Sequence, residues 1–236
     1  MKTISFTLLL TTTMMISAIG CEQSSSGPSN NEMSAQNMTI PEENFALMQA
    51  VVDTIAADSL SIEEEQGLTV MREEEKLARD VYSALYEKWK LRPFSNITRS
   101  EQIHTTSVQT LLNRYSLTDP VGANGPGVFS DTVLQKLYND LMVQGNISAI
   151  DALKVGAVIE EVDITDLQNH MKESDNADIL YVYTNLMRGS RNHLRSFVGN
   201  LRVRGITYAP QYLSKTEFDE IIAGSMERGC GTNGSN

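Results

Sequence analysis

Four long stretches of this sequence repeat apolar residues at a three-and-four spacing, and this pattern constrains the fold more than any other feature. The stretches cover residues 62–90, 97–115, 149–172 and 177–203. Such spacing places the apolar side chains on one face of an α-helix, and that face must be buried against other helices. Patterns typical of strands are nearly absent. The sequence therefore predicts an all-α fold.

The links between these stretches predict how the four helices connect. The first link, which contains Pro93, and the third are short, so each joins an antiparallel pair of helices. The middle link, 116–148, is long and carries a short helix at 131–144. Two antiparallel pairs joined by a long crossover form the topology of a ferritin-like four-helix bundle. A further short helix is expected at 41–57.

Short polar side chains mark where three of the long helices are expected to begin. Ser61 precedes the first long helix, Ser148 precedes the third, and Ser174 or Asp175 precedes the fourth. Each side chain can accept a hydrogen bond from a free backbone N–H of the first turn. We therefore expect these residues to be the N-caps.

The N-terminal forty residues differ in composition from the helical stretches. Lys2 precedes an apolar run that ends in small residues directly before Cys21, a pattern typical of a bacterial lipoprotein signal peptide at residues 1–20. Cys21 would then be the lipidated first residue of the mature chain. Residues 21–40 are rich in Ser, Asn and Gln and would form a flexible tether. The alternative is an ordinary cleaved signal in which Cys21 is incidental.

This organisation predicts one helical domain at 41–225 and a disordered tail at 226–236. The lipid would hold the domain on the extracytoplasmic side of the cell envelope, in the periplasm or at the cell surface. The chain has 19 basic and 30 acidic residues and a net charge of −11. Contacts with phosphate groups need a basic surface, so nucleic acid is not an expected partner. The expected contact with the membrane is through the lipid anchor only.

Polar residues interrupt the apolar faces of all four long helices. With only two cysteines and three histidines, any metal site must use mainly carboxylates. The interrupting residues, in chain order, are Glu75, Glu101, His104, Glu160 and His193. Burying several carboxylates is costly unless a positive charge lies among them. A divalent cation with oxygen and imidazole ligands supplies that charge, so this pattern predicts a metal site.

The order of these residues matches much of the ligand pattern of di-iron and di-manganese helix bundles. That pattern takes one Glu from each of two helices and a Glu-x-x-His motif from each of the other two. Glu75 and Glu160 are the single glutamates in this chain. Glu101 and His104 form one complete motif, whose spacing points both side chains into the same space.

The fourth helix departs from this pattern. Three residues before His193 stands Ser190 instead of Glu, so one carboxylate ligand is missing. Asp163 or Glu161, on the third helix, could take its place. Without such a replacement, the site would bind one metal ion, bind two ions weakly, or bind none.

Each candidate ligand also has a purely structural interpretation. Glu75 belongs to an acidic run in which Glu73 or Glu74 could be the inward-facing carboxylate. Glu101 could pair with Thr98 in a capping box at the start of the second helix. A metal site explains the interruptions jointly, because they occur on four separate helices in the order that the ligand pattern requires.

Four segments of the chain carry a resemblance to a known family: REEEKLARDVY (72–82), FSNITRSEQIH (94–104), ALKVGAVIEEVDITDL (152–167) and NLMRGSRNHLRSF (185–197). They resemble the ferritin-like family called domain of unknown function 2202. The wider ferritin and rubrerythrin superfamily implies a carboxylate-bridged di-iron or di-manganese centre that reacts with O2 or peroxide. The family name assigns no activity. Because ferritin-like bundles often dimerise, the resemblance makes a homodimer one candidate assembly.

Two functional hypotheses follow. The first is an oxidoreductase-type metal site that oxidises Fe(II) or consumes peroxide. Glu160 would bridge two metal ions, with Glu75 as a second candidate, and His104 and His193 would each be a terminal ligand. Tyr82, one heptad after Glu75, would be a hydrogen-bond or redox neighbour of the centre.

The second hypothesis is a non-catalytic module at the cell surface. It would bind cations or a basic partner through an acidic face of the first long helix. That face would consist of Glu63, Glu64, Glu65, Glu73 and Glu74.

Overall fold

The structure is a computed structural model that describes residues 42–228. The predicted signal peptide (1–20), Cys21 with the predicted tether (21–40), and residues 229–236 of the predicted tail lie outside the described residues. Within them the chain forms seven helices and no strand, which confirms the all-α prediction. The helices are α1 (Glu42–Thr54), α2 (Ile62–Trp89), α3 (Arg92–Arg114), α4 (Thr132–Gly145), α5 (Ala149–Glu173), α6 (Ala177–Arg202) and α7 (Lys215–Ala223).

The four long helices pack around one apolar core. α2 packs along α3 and α5 packs along α6, while α2 also contacts α5 and α3 contacts α6. Cross-helix contacts show that α5 and α6 are antiparallel, because Glu160 faces His193 and His170 faces Tyr183. α4, from the long crossover, lies against α2 and α5. No helix in the part of the chain that the structure describes is both long and apolar enough to cross a membrane.

α3 begins five residues earlier than the apolar pattern indicated. It starts at Arg92, with Pro93 in its first turn. Proline suits this position because the first N–H groups of a helix have no partner within the helix. Glu101 therefore lies well inside α3, and the hydroxyl of Thr98 donates to the backbone oxygen of Phe94 instead. The capping-box interpretation of Thr98 and Glu101 is wrong for this reason.

The structure confirms two of the three predicted N-caps. The Ser61 hydroxyl accepts from the N–H of Glu64 at 3.1 Å, and that of Ser148 accepts from Asp151 at 3.0 Å. The third prediction is wrong, because the N-cap of α6 is Asn176 and Ser174 ends α5. Polar atoms of the link between α5 and α6 instead donate hydrogen bonds to Glu64 of α2. Sequence spacing alone does not reveal this contact.

Three buried glutamates hold the links between helices, and we call Glu64, Glu73 and Glu161 the clamp glutamates. Glu64 accepts hydrogen bonds from the hydroxyl of Ser174 and from the N–H of Asn176, both in the α5–α6 link. These bonds tie the start of α2 to that link. Hydrogen bonds from backbone N–H groups to a carboxylate are strong because the acceptor is charged.

The other two clamp glutamates hold segments farther along the chain. Glu73 accepts from the N–H groups of Ser130 and Asp131, at the start of α4, at 2.6 and 2.8 Å. Glu161 accepts from three consecutive N–H groups of the C-terminal segment at 2.8, 2.8 and 2.9 Å, and from a tyrosine hydroxyl at 2.5 Å. The donors to Glu161 are Gln211, Tyr212, Leu213 and Tyr208.

Candidate metal centre

Five of the six predicted metal ligands lie at one level of the core, between the four long helices. Each is at most 2% exposed. They are Glu75 from α2, Glu101 and His104 from α3, Glu160 from α5 and His193 from α6. The helices bring them together because each occupies a position on the inward face of its helix where an apolar residue would otherwise stand.

Glu101 lies between the two histidines. Its Oε2 is 2.9 Å from Nδ1 of His104, and its Oε1 is 2.7 Å from Nδ1 of His193. The outer carboxylates complete the arrangement, with Glu75 Oε2 3.2 Å from His104 Nδ1 and Glu160 Oε2 3.4 Å from His193 Nδ1. The two imidazole rings lie 5.5 Å apart at an angle of 28°.

These contacts define two half-sites. The first consists of Glu75, Glu101 and His104, and the second of Glu101, Glu160 and His193. Within each half-site one potential ligand atom of every residue lies within 4.8 Å of the others. The shared residue is Glu101, whereas the sequence favoured Glu160 or Glu75 as the bridge. Sequence spacing places a residue on a helix face, but the relative axial positions of the helices decide which carboxylate lies in the middle.

Several polar atoms of the half-sites are buried without a hydrogen-bond partner. They are Glu75 Oε1, Glu101 Oε1, His104 Nε2 and His193 Nδ1. His193 Nδ1 and Glu101 Oε1 are close, but they lack the geometry of a hydrogen bond. A buried polar atom without a partner costs about 1–3 kcal/mol. Carboxylate oxygens and imidazole nitrogens are ligands of iron and manganese, so this donor set fits such a cation.

The electrostatics of the half-sites show how tightly the charges are coupled. Burial raises the pKa of Glu75 to about 8 and also raises the pKa of Glu160. Burial opposes the charged form of His193, but the carboxylates of Glu101 and Glu160 raise its pKa to about 9. Burial likewise disfavours ionised Glu101, yet His193 and His104 lower its pKa. Protons and a cation are therefore alternative ways to offset these carboxylates.

Asp163, the sixth predicted ligand, lies beside the half-sites but belongs to neither. Its carboxylate accepts a hydrogen bond from the hydroxyl of Ser190, the residue that stands where the ligand pattern has Glu. Burial, and then the charges of Glu75 and Glu160, raises the pKa of Asp163, which shows that the three carboxylates are neighbours. Asp163 thus lies where Ser190 leaves a carboxylate missing.

Two contacts support the half-sites from outside. Tyr82 is fully buried, and its hydroxyl donates to Oε1 of Glu160 at 2.5 Å. Gly189 lets the ring of His104 lie against α6, because a Cβ atom at this position would be only 2.5 Å from His104 Nε2. Sequence reasoning missed Gly189. The sequence did contain a signal, namely a glycine in the middle of a predicted helix. Such a glycine costs about 1 kcal/mol relative to alanine, which suggests that close packing requires it.

The alternative inward-facing carboxylates have other contacts. Glu73 and Glu161 are buried, but their oxygens accept hydrogen bonds from backbone N–H groups, as described above. Glu74 belongs to neither half-site.

The predicted acidic face of α2 is not a single exposed surface, because Glu64 and Glu73 are only 4% and 2% exposed. The exposed part of this predicted face is therefore limited to Glu63, Glu65 and the half-buried Glu74.

The fold and site together define an all-helical protein whose core encloses a carboxylate and histidine cluster. The sequence profile of the family described as "Uncharacterized protein domain (DUF2202)" matches residues 64–225. The chain belongs to this family. The uncharacterized protein MJ0754 of Methanocaldococcus jannaschii is 51% identical over 182 residues, which cover 77% of this chain and 98% of that protein.

A solved structure is also similar. The crystal structure of hypothetical protein MJ0754 from Methanococcus jannaschii DSM 2661 superimposes with a TM-score of 0.72 at 52% identity. The match covers 74% of this chain and 99% of that chain.

Proposed function

We propose that this protein is a ferritin-like four-helix bundle that binds two ions of iron or manganese. One ion would be held by Glu75, Glu101 and His104, and the other by Glu101, Glu160 and His193. The observation that carries the proposal is the shared position of Glu101, whose two oxygens face different histidines at 2.9 and 2.7 Å. In the di-iron and di-manganese helix bundles, glutamates and histidines from facing helices likewise project inward to one site.

The bound metal would supply redox chemistry toward O2 or peroxide, which makes a ferroxidase or peroxide-consuming activity the proposed reaction class. The residues of the chain contribute binding and orientation. Tyr82, through its hydrogen bond to Glu160, fixes the rotation of that carboxylate. Asp163, held by Ser190, offers the additional oxygen ligand. The deep burial of the five half-site ligands keeps the site away from bulk water.

The proposal includes the location of the protein. A lipid on Cys21 and a tether at 21–40 would place the helical domain outside the cytoplasm. Supporting this, the small residues before Cys21 form the lipoprotein pattern described above. Labelling of the expressed chain with a radioactive fatty acid, compared with a Cys21→Ala variant, tests this part separately. The label should be incorporated only into the chain that retains Cys21.

Metal content tests the central claim. The protein purified from the full chain and loaded anaerobically with Fe(II) or Mn(II) is expected to hold two equivalents by elemental analysis. The double variant Glu101→Gln/His104→Ala removes the shared carboxylate and one histidine, so it should lose both equivalents. Glu63→Gln, an exposed position of the same α2 helix, is the matched control and should keep them. Wild-type protein that binds no metal at any loading would refute the proposal.

A further inference from the structure

Basic side chains collect at one end of the helical bundle, although the whole chain has a net charge of −11. We call this surface the basic end, and its five exposed basic residues are Lys88, Lys90, Arg92, Arg202 and Arg204. The last turn of α2 meets the end of α4 here. Trp89 donates its indole N–H to the backbone oxygen of Gly145 at 2.9 Å, and Lys88 donates to that of Asn146 at 2.7 Å.

Aromatic contacts show that the start of α3 and the end of α6 lie at the same place. Tyr82 of α2 and Phe94 of α3 both contact Phe197 of α6, with ring centroids 5.2 and 5.4 Å apart. From these residues each helix reaches the basic end within about 11 Å, at 1.5 Å per residue. α6 runs in the same direction as α2, because the link before α6 is bonded to Glu64 at the start of α2.

The basic end has more positive than negative charges. The acidic residues nearest to it are Glu87 and Asp151, which pair with Lys90 and Lys154. Among the residues that the structure describes, four of the basic side chains form no ion pair with a carboxylate, namely Lys88, Arg92, Arg202 and Arg204. These four charges make the electrostatic potential of this end positive.

The opposite end of the bundle carries the reverse charge. The start of α2 and the end of α5 lie together there, because Glu64 is bonded to the α5–α6 link. The exposed acids at that end are Glu63, Glu65, Glu173 and Asp175. The two ends are about 40 Å apart, since α2 spans 28 residues between them. An anionic surface would therefore repel one end and attract the other, which orients the protein.

Exposed apolar side chains lie among the basic ones. Val203, between Arg202 and Arg204, is 77% exposed, and Ile147, which follows α4, is 63% exposed. Surfaces that bind membranes combine basic side chains, which attract anionic headgroups, with apolar side chains that enter the boundary of the acyl chains. Contacts with the phosphates of a nucleic acid would use the basic groups alone and leave Val203 and Ile147 in water. The combination favours a lipid surface.

We propose that the basic end docks on the anionic phospholipid surface of a membrane, with its basic side chains at the headgroups and with Val203 and Ile147 inserted between them. The inference rests on the proposed location of the protein, because a lipid on Cys21 would hold the domain beside a membrane. It adds a second membrane contact to the lipid anchor, which the sequence predicted as the only one. The tether at 21–40 can extend to about 70 Å, so it allows either end of the bundle to face the membrane.

Trp89 is an intrinsic probe of docking, because it is the only tryptophan of the chain and lies at the basic end. The lipidated chain is reconstituted into vesicles of phosphatidylglycerol and phosphatidylcholine in which some headgroups carry a nitroxide that quenches nearby indole emission. Fluorescence lifetimes give the ratio of quenched to unquenched Trp89. We expect a high ratio in these vesicles and a low one in equally labelled phosphatidylcholine alone. Raising NaCl from about 0.1 M to about 1 M should also lower it, because the Debye length falls from about 10 Å to about 3 Å.

Substitutions separate the charged and the apolar parts of the contact. Arg202→Gln/Arg204→Gln should lower the ratio about 25-fold, because each basic side chain at an anionic surface contributes about fivefold. Val203→Ser leaves the charge unchanged and should lower the ratio about threefold through lost apolar burial. The matched control is Lys172→Gln/Lys215→Gln, which removes two charges at exposed positions outside the basic end and should stay within about twofold of wild type.

The outcomes separate docking from the lipid anchor. Flotation in about 1 M NaCl reports the anchor alone, because docking is screened there. A chain that does not float refutes the anchor, and the anionic vesicles are then titrated into that chain, where quenching of Trp89 supports docking and its absence overturns docking. A chain that floats but shows no quenching at low salt overturns docking and leaves the anchor intact. These measurements do not depend on bound metal, so they leave the metal centre untouched.

The variants also test other occupants of the basic end. Equal ratios in Arg202→Gln/Arg204→Gln and the control would overturn the proposal. An unchanged ratio in Val203→Ser would overturn the insertion of apolar side chains, and with it the choice of a membrane over another polyanion. Sedimentation velocity in detergent tests a second copy of the chain. Wild-type oligomers that Arg202→Gln/Arg204→Gln abolishes would mean that the basic end binds the acidic end of a second copy, which would overturn membrane docking.

Discussion

The buried glutamates of this protein fall into two groups that differ in what their oxygens face. The clamp glutamates Glu64, Glu73 and Glu161 accept hydrogen bonds from backbone N–H groups. The glutamates of the half-sites, Glu75, Glu101 and Glu160, face histidines. Glu160 and Glu161 are consecutive residues of α5 and belong to different groups. Burial of a carboxylate therefore does not identify a metal ligand, whereas the atoms around its oxygens do.

The largest expected effect comes from changing these two neighbours in the metal-free protein. Glu161→Gln replaces an acceptor of three N–H bonds and one O–H bond, and should lower the free energy of unfolding by about 3 kcal/mol. Glu160→Gln should change it by less than about 1 kcal/mol, because a neutral amide relieves repulsion among buried carboxylates. Chemical denaturation measures both values. Equal losses of unfolding free energy in the two variants would show that the clamp glutamates and the half-site glutamates do not differ in this way.

A smaller effect is expected for the substitution Gly189→Ala, which changes the geometry of the half-sites without changing their charge. Gly189→Ala should displace the ring of His104 and cost about 1–3 kcal/mol through overpacking, while also removing one equivalent of bound metal. Gly199→Ala on the same helix is the control. A Cβ at Gly199 meets no atom within 4 Å, so alanine should stabilise α6 by up to about 1 kcal/mol. Elemental analysis and thermal unfolding measure both effects, and unchanged metal content in Gly189→Ala would show that metal binding does not depend on the close packing of His104 against α6.

The helices and the faces of the site were predictable from the sequence, but the partners of its carboxylates were not. The apolar spacing placed Glu75, Glu101 and Glu160 inward, because one helix face must be buried. Glu161 follows Glu160 by 100° around the helix and looked like an alternative ligand. Its partners lie about fifty residues later, in a segment without periodicity. Helix α7 was missed because it has only nine residues.

A further effect, confined to acidic solution, concerns the clamp at Glu64. Burial opposes its ionisation, but hydrogen bonds from Ser174, Ser61 and Asn176 lower its pKa from 4.5 to about 2. A lowered pKa in the folded state gives stability that is present above pH 4.5 and is lost as the pH falls from 4.5 toward 2. The variant Glu64→Gln should show a flatter dependence of unfolding free energy on pH in this window. Parallel curves for variant and wild type would mean that Glu64 carries no such linkage.

The bonds of Glu161 to the C-terminal segment have a mechanical consequence for the neighbouring residue. Glu161 binds residues 211–213 on one face of α5, while Glu160 points to Tyr82 and His193 on a face about 100° away. A helix held on two faces at consecutive residues resists rotation about its own axis. The segment after α6 thus restrains the rotation of α5 and fixes the direction in which Glu160 points, although the segment contributes no atom to the half-sites.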